Sequence, residues 1–444
     1  MSTKKYKLSR YAVPVEDGET LFLFNTLNGA LLSFDDPSRI EQIKNIAETK
    51  LAEKDGDPEL FEALKSADFI FSGDIDEFEI AKQIFIDTRG FVQSRLRIMI
   101  YTTNECNFRC NYCPQPHINK NMTPEILDNI CSAIEKLLNS GRYKKLSISW
   151  FGGEPLLNLG IIERGMLRFG EICKEKGIEL SSSITTNGYN LTQNTLRRLF
   201  DLGVLEYQIT VDGTEKTHDR TRVLKNGAGT WRRIWNNLIS MCTFEDKFIV
   251  HLRINVNSDN MSEAKELINM LNDNFDDRFQ TQIQAVMNMG GVTHPDANFC
   301  TPDTARELLL DIYSYLGRVR PNEVGQLVRL LRPFGFVCNC ADPHYFVVRT
   351  DGMICKCELE VDDEFNILGS GDSGALVLDY AKLSQYIAPV FAGECETCRM
   401  FPLCYGLSCP QKKAKKNACA IVGNFRLDEY TRTLGQIIRS LNLA

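Results

Sequence analysis

The chain has 444 residues, a length that predicts two or three domains. Its apolar fraction of 43% is ordinary for a globular protein, and its net charge of −7 argues against a general nucleic-acid-binding protein. It contains neither an apolar stretch of roughly 18 residues that would span a membrane nor a signal-peptide core, so we expect a cytoplasmic protein without a membrane partner. Its sixteen cysteines then indicate metal binding rather than disulfides.

Residues 1–90 predict a small α+β domain. Two apolar strands at 19–25 and 30–34 flank an Asn28-Gly29 turn, a pattern typical of a β-hairpin. Further elements are predicted as helices near 38–53, 59–66 and 76–94 and a short strand at 69–71. An exposed hairpin edge can bind a peptide that adds a strand to it. The same domain could instead be a cap that only shields the next one, and both interpretations stay open.

Residues 91–300 alternate apolar strands with helices, as a parallel α/β fold requires. Strands are predicted near 96–102, 146–151, 180–186, 206–211, 249–256 and 281–287, and helices near 123–138, 159–176, 193–202, 229–242 and 261–273. Because the pattern gives six strands rather than eight, we predict a partial (β/α)6 barrel that is open on one side. Residues 301–335 are predicted to form a helical bridge to a C-terminal domain at 336–444.

A triad of cysteines, Cys106, Cys110 and Cys113, follows the first of these strands in a C-x3-C-x2-C spacing. Three thiolates can hold three corners of a [4Fe–4S] cluster, which leaves the fourth iron open to a ligand. The alternatives are three packed thiols or a zinc knuckle that His117 completes, because structural zinc normally takes four ligands. The segments that follow the triad favour the cluster.

With the aromatic Tyr112 just before its last cysteine, the triad resembles the signature of radical SAM enzymes, in which the open iron binds S-adenosylmethionine (SAM). The resemblance implies that Tyr112 lies near the adenine. Three later segments resemble further SAM-binding segments of that family. The residues implied to contact SAM are Gly152, Gly153, Glu154 and Pro155 for the methionine amine, Thr185 and Asn187 for the ribose, and Thr210 and Arg222 for the ribose and carboxylate. Independently of the family, Glu154 is an anion suited to an ammonium group, and Arg222 can bind a carboxylate through two N–H groups.

The C-terminal domain contains a second array, because nine of the sixteen cysteines lie between Cys338 and Cys419. Their order resembles the seven-cysteine SPASM domain, which holds two auxiliary [4Fe–4S] clusters in some radical SAM enzymes. The resemblance implies a distal cluster on Cys395, Cys398, Cys404 and Cys419 and a proximal cluster on Cys340, Cys357 and Cys409, with Cys338 as a possible fourth ligand. Four residues separate Cys404 from Cys409, where three are usual. Cys355 is interpreted as a packing residue.

The resemblance implies an enzyme whose cofactors are three [4Fe–4S] clusters and SAM. The expected reaction cleaves SAM to a 5′-deoxyadenosyl radical, which takes a hydrogen from a ribosomally made precursor peptide and leads to a thioether or another side-chain crosslink. The domain at 1–90 resembles the N-terminal segment of such peptide maturases and would bind the leader of the precursor. A flavodoxin or ferredoxin would supply the electron.

Two other functions are considered. An anaerobic sulfatase maturase, which forms formylglycine, would share the barrel and the C-terminal cysteine array. A non-enzymatic iron–sulfur electron carrier or sensor would share the cysteines, but it would have no role for Glu154, Thr210 and Arg222. The sequence does not identify a catalytic base.

Overall fold

The computed structural model describes residues 5–49, 57–92, 94–288, 297–323, 338–407, 409 and 427–440. The chain divides into two compact units. The first unit comprises Met1–Phe91, Arg320–Ala341 and Ala388–Ala444, and the second comprises Val92–Val319 and Asp342–Ile387. The predicted C-terminal domain therefore contributes residues to both units.

The first unit begins with five short strands and three helices. They are β1 (Tyr6–Leu8), β2 (Ala12–Asp17), β3 (Thr20–Asn25), β4 (Leu31–Phe34), α1 (Pro37–Thr49), α2 (Pro58–Ser66), β5 (Ile70–Ser72) and α3 (Glu77–Val92). Strands β2, β3 and β4 form an antiparallel sheet, and β1 pairs with β5. The predicted hairpin is confirmed as β3 and β4. Its connection includes Gly29, whose φ of 78° is accessible to glycine at little cost.

A C-terminal helix, Leu427–Ser440, packs on β2 and β3 of the same unit. Gly435 makes room for this contact, because a Cβ at that position would lie 2.4 Å from the Phe22 ring. Arg439 forms an ion pair with Asp35 at 3.0 Å. The sequence did not predict this packing, since local patterns carry no information on partners so far apart in the chain.

The second unit is built on a continuous sheet of ten strands. The strands are β6 (Arg95–Thr103), β7 (Lys145–Gly152), β8 (Glu179–Thr186), β9 (Val204–Thr210), β10 (Ile249–Val256), β11 (Phe279–Ala285), β12 (Tyr345–Val348), β13 (Met353–Cys355), β14 (Ile367–Ser370) and β15 (Val377–Leu378). Their order is β11-β10-β9-β8-β7-β6-β12-β13-β14-β15. All pairs from β11 to β12 are parallel, whereas β13 to β15 are antiparallel. The six predicted parallel strands are confirmed, and β12 is a further parallel strand that the sequence did not predict.

Helices connect the parallel strands of the second unit. They are α4 (Pro124–Leu138), α5 (Leu159–Lys176), α6 (Gln193–Asp201), α7 (Glu215–Thr221), α8 (Trp231–Met241), α9 (Met261–Asn274) and α10 (Pro302–Val319), and Tyr380–Ile387 follows β15. The sequence did not predict the short α7. Trp150 of β7 packs against α5, where a Cβ on Gly165 would lie 2.4 Å from its ring.

The opposite face of the parallel sheet is polar. The Oγ atoms of Ser147 and Ser181 are 2.8 Å apart, and those of Ser149 and Ser183 are 2.9 Å apart. Barrels with a packed interior carry bulky branched side chains on this face. A polar face instead leaves groups that can bind water or a polar ligand. None of the helices in the described ranges is long and apolar enough to cross a membrane.

Candidate active site

The three cysteines of the triad lie in the loop between β6 and α4. Cys106 and Cys110 are buried, and Cys113 is partly exposed. Burial raises the pKa of Cys106 to about 12 and that of Cys110 to about 11. As free thiols they therefore stay protonated at neutral pH, and binding of iron would release their protons.

His117 lies beside the triad, with its Nε2 atom 3.5 Å from Cys113 Sγ. Within the described ranges, no group of three or more His, Cys, Asp or Glu side chains is arranged to hold a single metal ion. A zinc knuckle would need four ligands around one ion. A cubane cluster does not need its thiolates to converge on one ion, because each thiolate binds its own iron atom at a separate corner. Three thiols on one short loop are a suitable donor set for such a cluster.

Gly152 and Gly153 pack directly against the start of the cysteine loop. A Cβ on Gly152 would lie 2.2 Å from the carbonyl oxygen of Thr103, and one on Gly153 would lie 2.2 Å from that of Glu105. Gly152 also has a φ of 144°, which side chains rarely adopt. Neither position accepts a side chain unless the loop that carries Cys106 moves.

The Glu154 side chain is fully buried next to these glycines. Its Oε1 atom accepts hydrogen bonds from the N–H of Leu156 at 3.0 Å and the hydroxyl of Thr186 at 2.7 Å, and Oε2 accepts from the N–H of Asn187 at 2.7 Å. Burial raises the pKa of Glu154, although these three donors oppose the shift. Since a carboxylate offers about four acceptor positions, Oε2 retains one for a further donor. Pro155 begins the short 3-10 helix, Pro155–Asn158, that contains Leu156.

The predicted ribose-contacting segment reaches the cysteine loop through Asn187. Its Nδ2 atom donates to Asn107 Oδ1 at 2.8 Å and lies 4.0 Å from Cys106 Sγ. Thr185 lies two residues earlier on β8, on the polar face that also carries Ser183. The ends of β7 and β8 are thus both connected to the loop that carries the triad.

The Tyr112 hydroxyl lies at the centre of a buried network. It donates to Asp212 and accepts from Arg222 Nη1 at 2.6 Å and from Asn255 Nδ2 at 3.1 Å. The backbone N–H of Asn255 also donates to Asp212 Oδ1 at 2.9 Å. Thr210, at the end of β9, is partly exposed and two residues from Asp212. The network links the cysteine loop to the carboxyl ends of β9 and β10.

Arg222 is buried in this network, yet its Nε atom has no hydrogen-bond acceptor among the described residues. The nearest carboxylate oxygen that pairs with it is Asp212 Oδ2, at 3.9 Å from Nη1. A buried, unused donor is costly unless a ligand satisfies it. The carboxylate of SAM would satisfy Arg222, and its ammonium would use the remaining acceptor position of Glu154. The residues at this site therefore fit SAM.

His218 holds two members of the network in place. Its Nδ1 atom accepts from the N–H of Asp212 at 3.2 Å, and Nε2 lies 3.0 Å from the hydroxyl oxygen of Thr230. That hydroxyl donates to the carbonyl oxygen of Arg222 at 2.7 Å. Burial lowers the pKa of His218 well below 6.5, so the imidazole is neutral and acts as a structural link.

Comparison with known proteins agrees with this geometry. Residues 100–271, which include the triad and the whole network, match the family model of the radical SAM superfamily. These residues therefore form a radical SAM domain. It is 29% identical over 153 residues to the radical SAM cyclopropyl synthase TigE of Paramaledivibacter caminithermalis, an alignment that covers 29% of this chain and 32% of TigE. The chain thus spans about a third of the length of that relative.

Another relative is the cysteine-type anaerobic sulfatase-maturating enzyme of Clostridium novyi. It is 23% identical over 325 residues, which cover 68% of this chain and 84% of that enzyme. Among solved structures, native anSMEcpe with bound AdoMet has a TM-score of 0.59 at 18% identity and covers 78% of this chain and 96% of its own. Streptococcus suis SuiB bound to precursor peptide SuiA has a TM-score of 0.53 at 13% identity and covers 93% and 97%. These structural similarities establish the radical SAM α/β fold.

Asn107, Asp212 and Asn255 were given no role by the sequence analysis, although they connect the predicted site residues of the radical SAM domain. Asp212 follows the predicted strand near 206–211, and Asn255 lies near the end of the predicted strand at 249–256. Polar residues at the carboxyl ends of parallel strands are a signal for site residues. That signal indicates where a site residue lies, but it does not indicate which residue forms a hydrogen bond with it. The hydrogen bonds to Tyr112 depend on how β9 and β10 pair.

The auxiliary cysteines of the first unit lie on short helical turns. Cys340 lies in the 3-10 helix Asn339–Ala341, which begins directly after Cys338. Cys395 lies in the short helix Glu394–Thr397, and Cys398 follows that helix directly. Cys404 is the last residue of the short helix Phe401–Cys404. Cys395 and Cys398 pack against an aromatic core that includes Phe78, Phe85, Phe401 and Tyr405. Cys409 is partly exposed, and Cys419 lies outside the described residues.

Cys357 belongs to the second unit, where the buried Asn366 fixes its backbone. Asn366 Oδ1 accepts from the N–H of Cys357 at 2.7 Å and from that of Lys356 at 3.1 Å, and Nδ2 donates to the carbonyl of Cys357 at 2.8 Å. The Lys356 ammonium is itself fully buried and donates to the carbonyls of Asp342 and Tyr345. The backbone of the predicted ligand is thus held by hydrogen bonds from a buried side chain.

Cys355 is a packing residue, as the sequence analysis concluded. It is fully buried with Tyr101, Tyr345 and Val347, and its thiol donates to the carbonyl oxygen of Val361 at 3.6 Å. Burial raises its pKa to about 12. In this apolar cluster the side chain of Cys355 behaves as a small hydrophobic residue.

Replacing Glu154 by glutamine is expected to weaken both SAM binding and folding. The amide NH2 would face one of the three donors that Glu154 now accepts, which leaves a buried donor without an acceptor and costs about 1–3 kcal/mol. Denaturant unfolding and calorimetric SAM binding would measure the two losses. Glu105→Gln is the matched control, because Glu105 is a partly exposed carboxylate on the same loop. Equal unfolding free energies for the two variants would contradict the prediction.

Proposed function

We propose that this radical SAM enzyme is a peptide maturase that installs a thioether or another side-chain crosslink in a ribosomally made precursor peptide. The observation that supports it most is the similarity in fold to SuiB bound to its precursor peptide SuiA, which extends over 93% of this chain. A similarity of that extent includes residues of both units, not the barrel alone. A peptide substrate also suits the polar face of the parallel sheet.

At the proposed site the chain's own residues hold SAM. Cys106, Cys110 and Cys113 would hold a [4Fe–4S] cluster, which when bound supplies the electron that cleaves SAM to methionine and a 5′-deoxyadenosyl radical. Glu154 accepts from the ammonium group through its remaining acceptor position. Arg222 donates to the carboxylate through Nε, and Tyr112 keeps its guanidinium in place. The chain thus positions SAM so that the radical forms next to the peptide.

We propose that the first unit binds the leader of the precursor. Strand β4 pairs only with β3 among the described strands, so one side of its backbone is available to another strand. An extended peptide can add to such an edge through main-chain hydrogen bonds, while side-chain pockets give specificity. Its residues Leu31–Phe34 are half-buried and offer apolar contacts to the added strand.

The test is co-expression with short cysteine-containing reading frames that lie beside the gene, followed by mass spectrometry of the peptide. Each crosslink that joins two side chains removes two hydrogens, so the product should be lighter by that mass. Peptide co-expressed with the Cys113→Ala variant should keep its original mass. An unmodified peptide after exposure to the iron-loaded wild type would contradict the proposal.

Anaerobic sulfatase maturation is the second candidate. It is supported by the similarity to the Clostridium novyi enzyme, which extends over 84% of that protein. The same mass spectra separate the two functions, because an aldehyde at a single cysteine or serine is the product of that reaction. Formation of the aldehyde, with no link between two side chains, would replace the crosslinking proposal.

We expect anaerobically reconstituted protein to hold about twelve iron atoms, four for each of three clusters. The basis is the set of eleven cysteines in cluster-like spacing, three in the triad and eight in the C-terminal array. Iron and zinc analysis of the purified protein measures this. About four iron atoms together with stoichiometric zinc would mean that the C-terminal array is a zinc module.

A further inference from the structure

Two buried tyrosines of the first unit have hydroxyl groups without a hydrogen-bond partner among the described residues. They are Tyr11, in the segment between β1 and β2, and Tyr405, which directly follows Cys404. Both side chains are completely buried. A buried hydroxyl without an acceptor costs free energy, so a group that accepts from it would be stabilising. The sequence analysis gave neither tyrosine a role.

Tyr11 is held against the short turn that carries Cys395 and Cys398. The hydroxyl of Thr26 donates to the carbonyl oxygen of Arg399, which directly follows Cys398, at 2.6 Å. The backbone N–H of Thr26 donates to the carbonyl oxygen of Tyr11 at 3.1 Å. A single residue of the N-terminal segment thus joins the backbone of Tyr11 to the end of the cysteine turn.

Tyr405 is positioned by the turn that ends at Cys404. Its N–H donates to the carbonyl oxygen of Phe401 at 2.7 Å, and its φ of 49° is uncommon for a residue with a side chain. Its ring contacts those of Phe85 and Phe401, with centroid distances of 4.7 and 5.2 Å. The Tyr405 ring is therefore fixed inside the aromatic core, next in the chain to a predicted cluster ligand.

Both hydroxyls lie close to predicted ligands of the distal cluster. Tyr11 and Tyr405 belong to one hydrophobic core, and Cys395 and Cys398 pack against it. Burial is the main cause of the raised pKa of both phenols, and negative charge on Cys398 adds to the shift at Tyr11, as charge on Cys404 does at Tyr405. Such an interaction requires each phenol oxygen to lie near the sulfur concerned.

We propose that the hydroxyls of Tyr11 and Tyr405 donate hydrogen bonds to sulfur atoms of the distal auxiliary cluster and raise its reduction potential. This inference rests on the proposed assignment of the C-terminal cysteines to auxiliary clusters. Cys395, Cys398 and Cys404 offer thiolates beside two unused donors, so this part of the chain fits such a cluster. Reduction adds one negative charge to the cluster, and a nearby donor stabilises the reduced form more than the oxidised form.

A raised potential suits an electron acceptor. In the proposed function one electron leaves the peptide after the new bond is made, and a cluster of higher potential accepts that electron more readily. Tyr11 belongs to the domain at 1–90, for which we considered leader binding or shielding. The present inference gives that domain a part in setting the properties of the distal cluster.

The experiment is an anaerobic redox titration of iron-loaded, full-length protein, followed by electron paramagnetic resonance. The test variants are Tyr11→Phe, Tyr405→Phe and the double variant, which keep the rings and remove only the hydroxyls. The control is Tyr6→Phe in the same unit, because that ring packs edge-on against Phe61 at 5.0 Å in a different core cluster. The signal that is lost in the Cys404→Ala variant identifies the distal cluster.

We expect each single substitution to lower the potential of the distal cluster. At a fixed solution potential, the ratio of reduced to oxidised distal cluster should fall about threefold to tenfold, and further in the double variant. Electron–nuclear double resonance in D2O should detect exchangeable deuterons at the reduced wild-type cluster that are lost with the hydroxyls. Tyr6→Phe should change neither the potential nor these deuteron signals.

An unchanged potential in the double variant with its full iron content would overturn the inference, even if that variant were less stable. The hydroxyls would then have a purely structural role. If one single variant loses iron, the other decides, since the two tyrosines come from separate segments. Loss of iron from both single variants, with Tyr6→Phe intact, would also overturn the inference, because the hydroxyls would then hold the array together rather than tune it.

A different result would count against the proposed function itself. If the wild type holds about four iron atoms together with zinc, there is no distal cluster and the assignment of the array is wrong. If the wild type holds about twelve iron atoms and modifies its peptide, while the potential is the same in all variants, only the role of the two tyrosines is wrong. The two failures can therefore be told apart.

Discussion

Simultaneous replacement of Cys106, Cys110 and Cys113 by alanine is expected to abolish the formation of 5′-deoxyadenosine. Among the residues that the structure describes, only this triad combines three thiols on one loop with neighbouring groups that fit both ends of the methionine part of SAM. The loop is connected through Asn107 to Asn187 and through Tyr112 to Arg222. Chromatography of SAM incubated with reduced protein measures the product, and the variant should still hold about eight iron atoms.

The matched control replaces Cys131, Cys173 and Cys242 by alanine. It removes the same number of thiols from α4, α5 and the end of α8. Cys131 and Cys173 are buried in helices and do not belong to the cysteine loop. The control should lose some stability but retain its iron and its SAM cleavage. SAM cleavage by the folded triple variant of the triad would refute its assignment as the SAM-cleaving site.

The strands of the radical SAM domain were predictable because most of them carry apolar side chains at alternate positions, such as Leu96, Ile98 and Ile100 of β6. Its parallel order follows from the alternation with helices. The strand β12 was not predictable in the same way. The strand Tyr345–Val348 is short, and its sequence does not indicate that it pairs with β6. All the other parallel strands lie between β6 and β12 along the chain. The packing of the helix Leu427–Ser440 was not predicted for the same reason, since its partner strands lie at the other end of the chain.

In the candidate site, too, the sequence predicts the chemical type of a residue but not the residues that it contacts. The sequence predicts Glu154 as an anion and Arg222 as a carboxylate donor, because these are properties of single residues. It does not predict that Glu154 is held by Thr186 and Asn187, or that Tyr112 binds Arg222 through its hydroxyl. Both contacts depend on the pairing of neighbouring strands, which places residues from separate segments side by side. For this reason the resemblance predicts positions but not the network that connects them.

Replacing Cys404 by alanine is expected to stop peptide modification while SAM cleavage stays measurable. In the proposed function the radical forms at the triad, which belongs to the second unit, whereas Cys404 belongs to the first unit and would be a ligand of an auxiliary cluster. After a hydrogen is taken from the peptide and a bond is made, one further electron must leave. A cluster in the C-terminal array is a suitable acceptor for it. We measure 5′-deoxyadenosine and the mass of the peptide in the same reaction.

Cys355→Ala is the matched control for this experiment. Both thiols are buried, but that of Cys355 donates to a carbonyl of its own unit and has no place in the predicted ligand sets. The control should lose about 1 kcal/mol of stability and retain all its iron and its product. The Cys404 variant should lose about four of the twelve iron atoms.

Loss of a ligand can also unfold the segment around it, because metal binding contributes to folding. Cys404 ends a turn whose Phe401 packs in the aromatic core, so this risk is real for the variant. A soluble Cys404 variant with about eight iron atoms and intact SAM cleavage must therefore be obtained before its effect on the peptide is interpreted. If that folded variant still makes full product, the electron leaves by another route and the auxiliary cluster is not its acceptor.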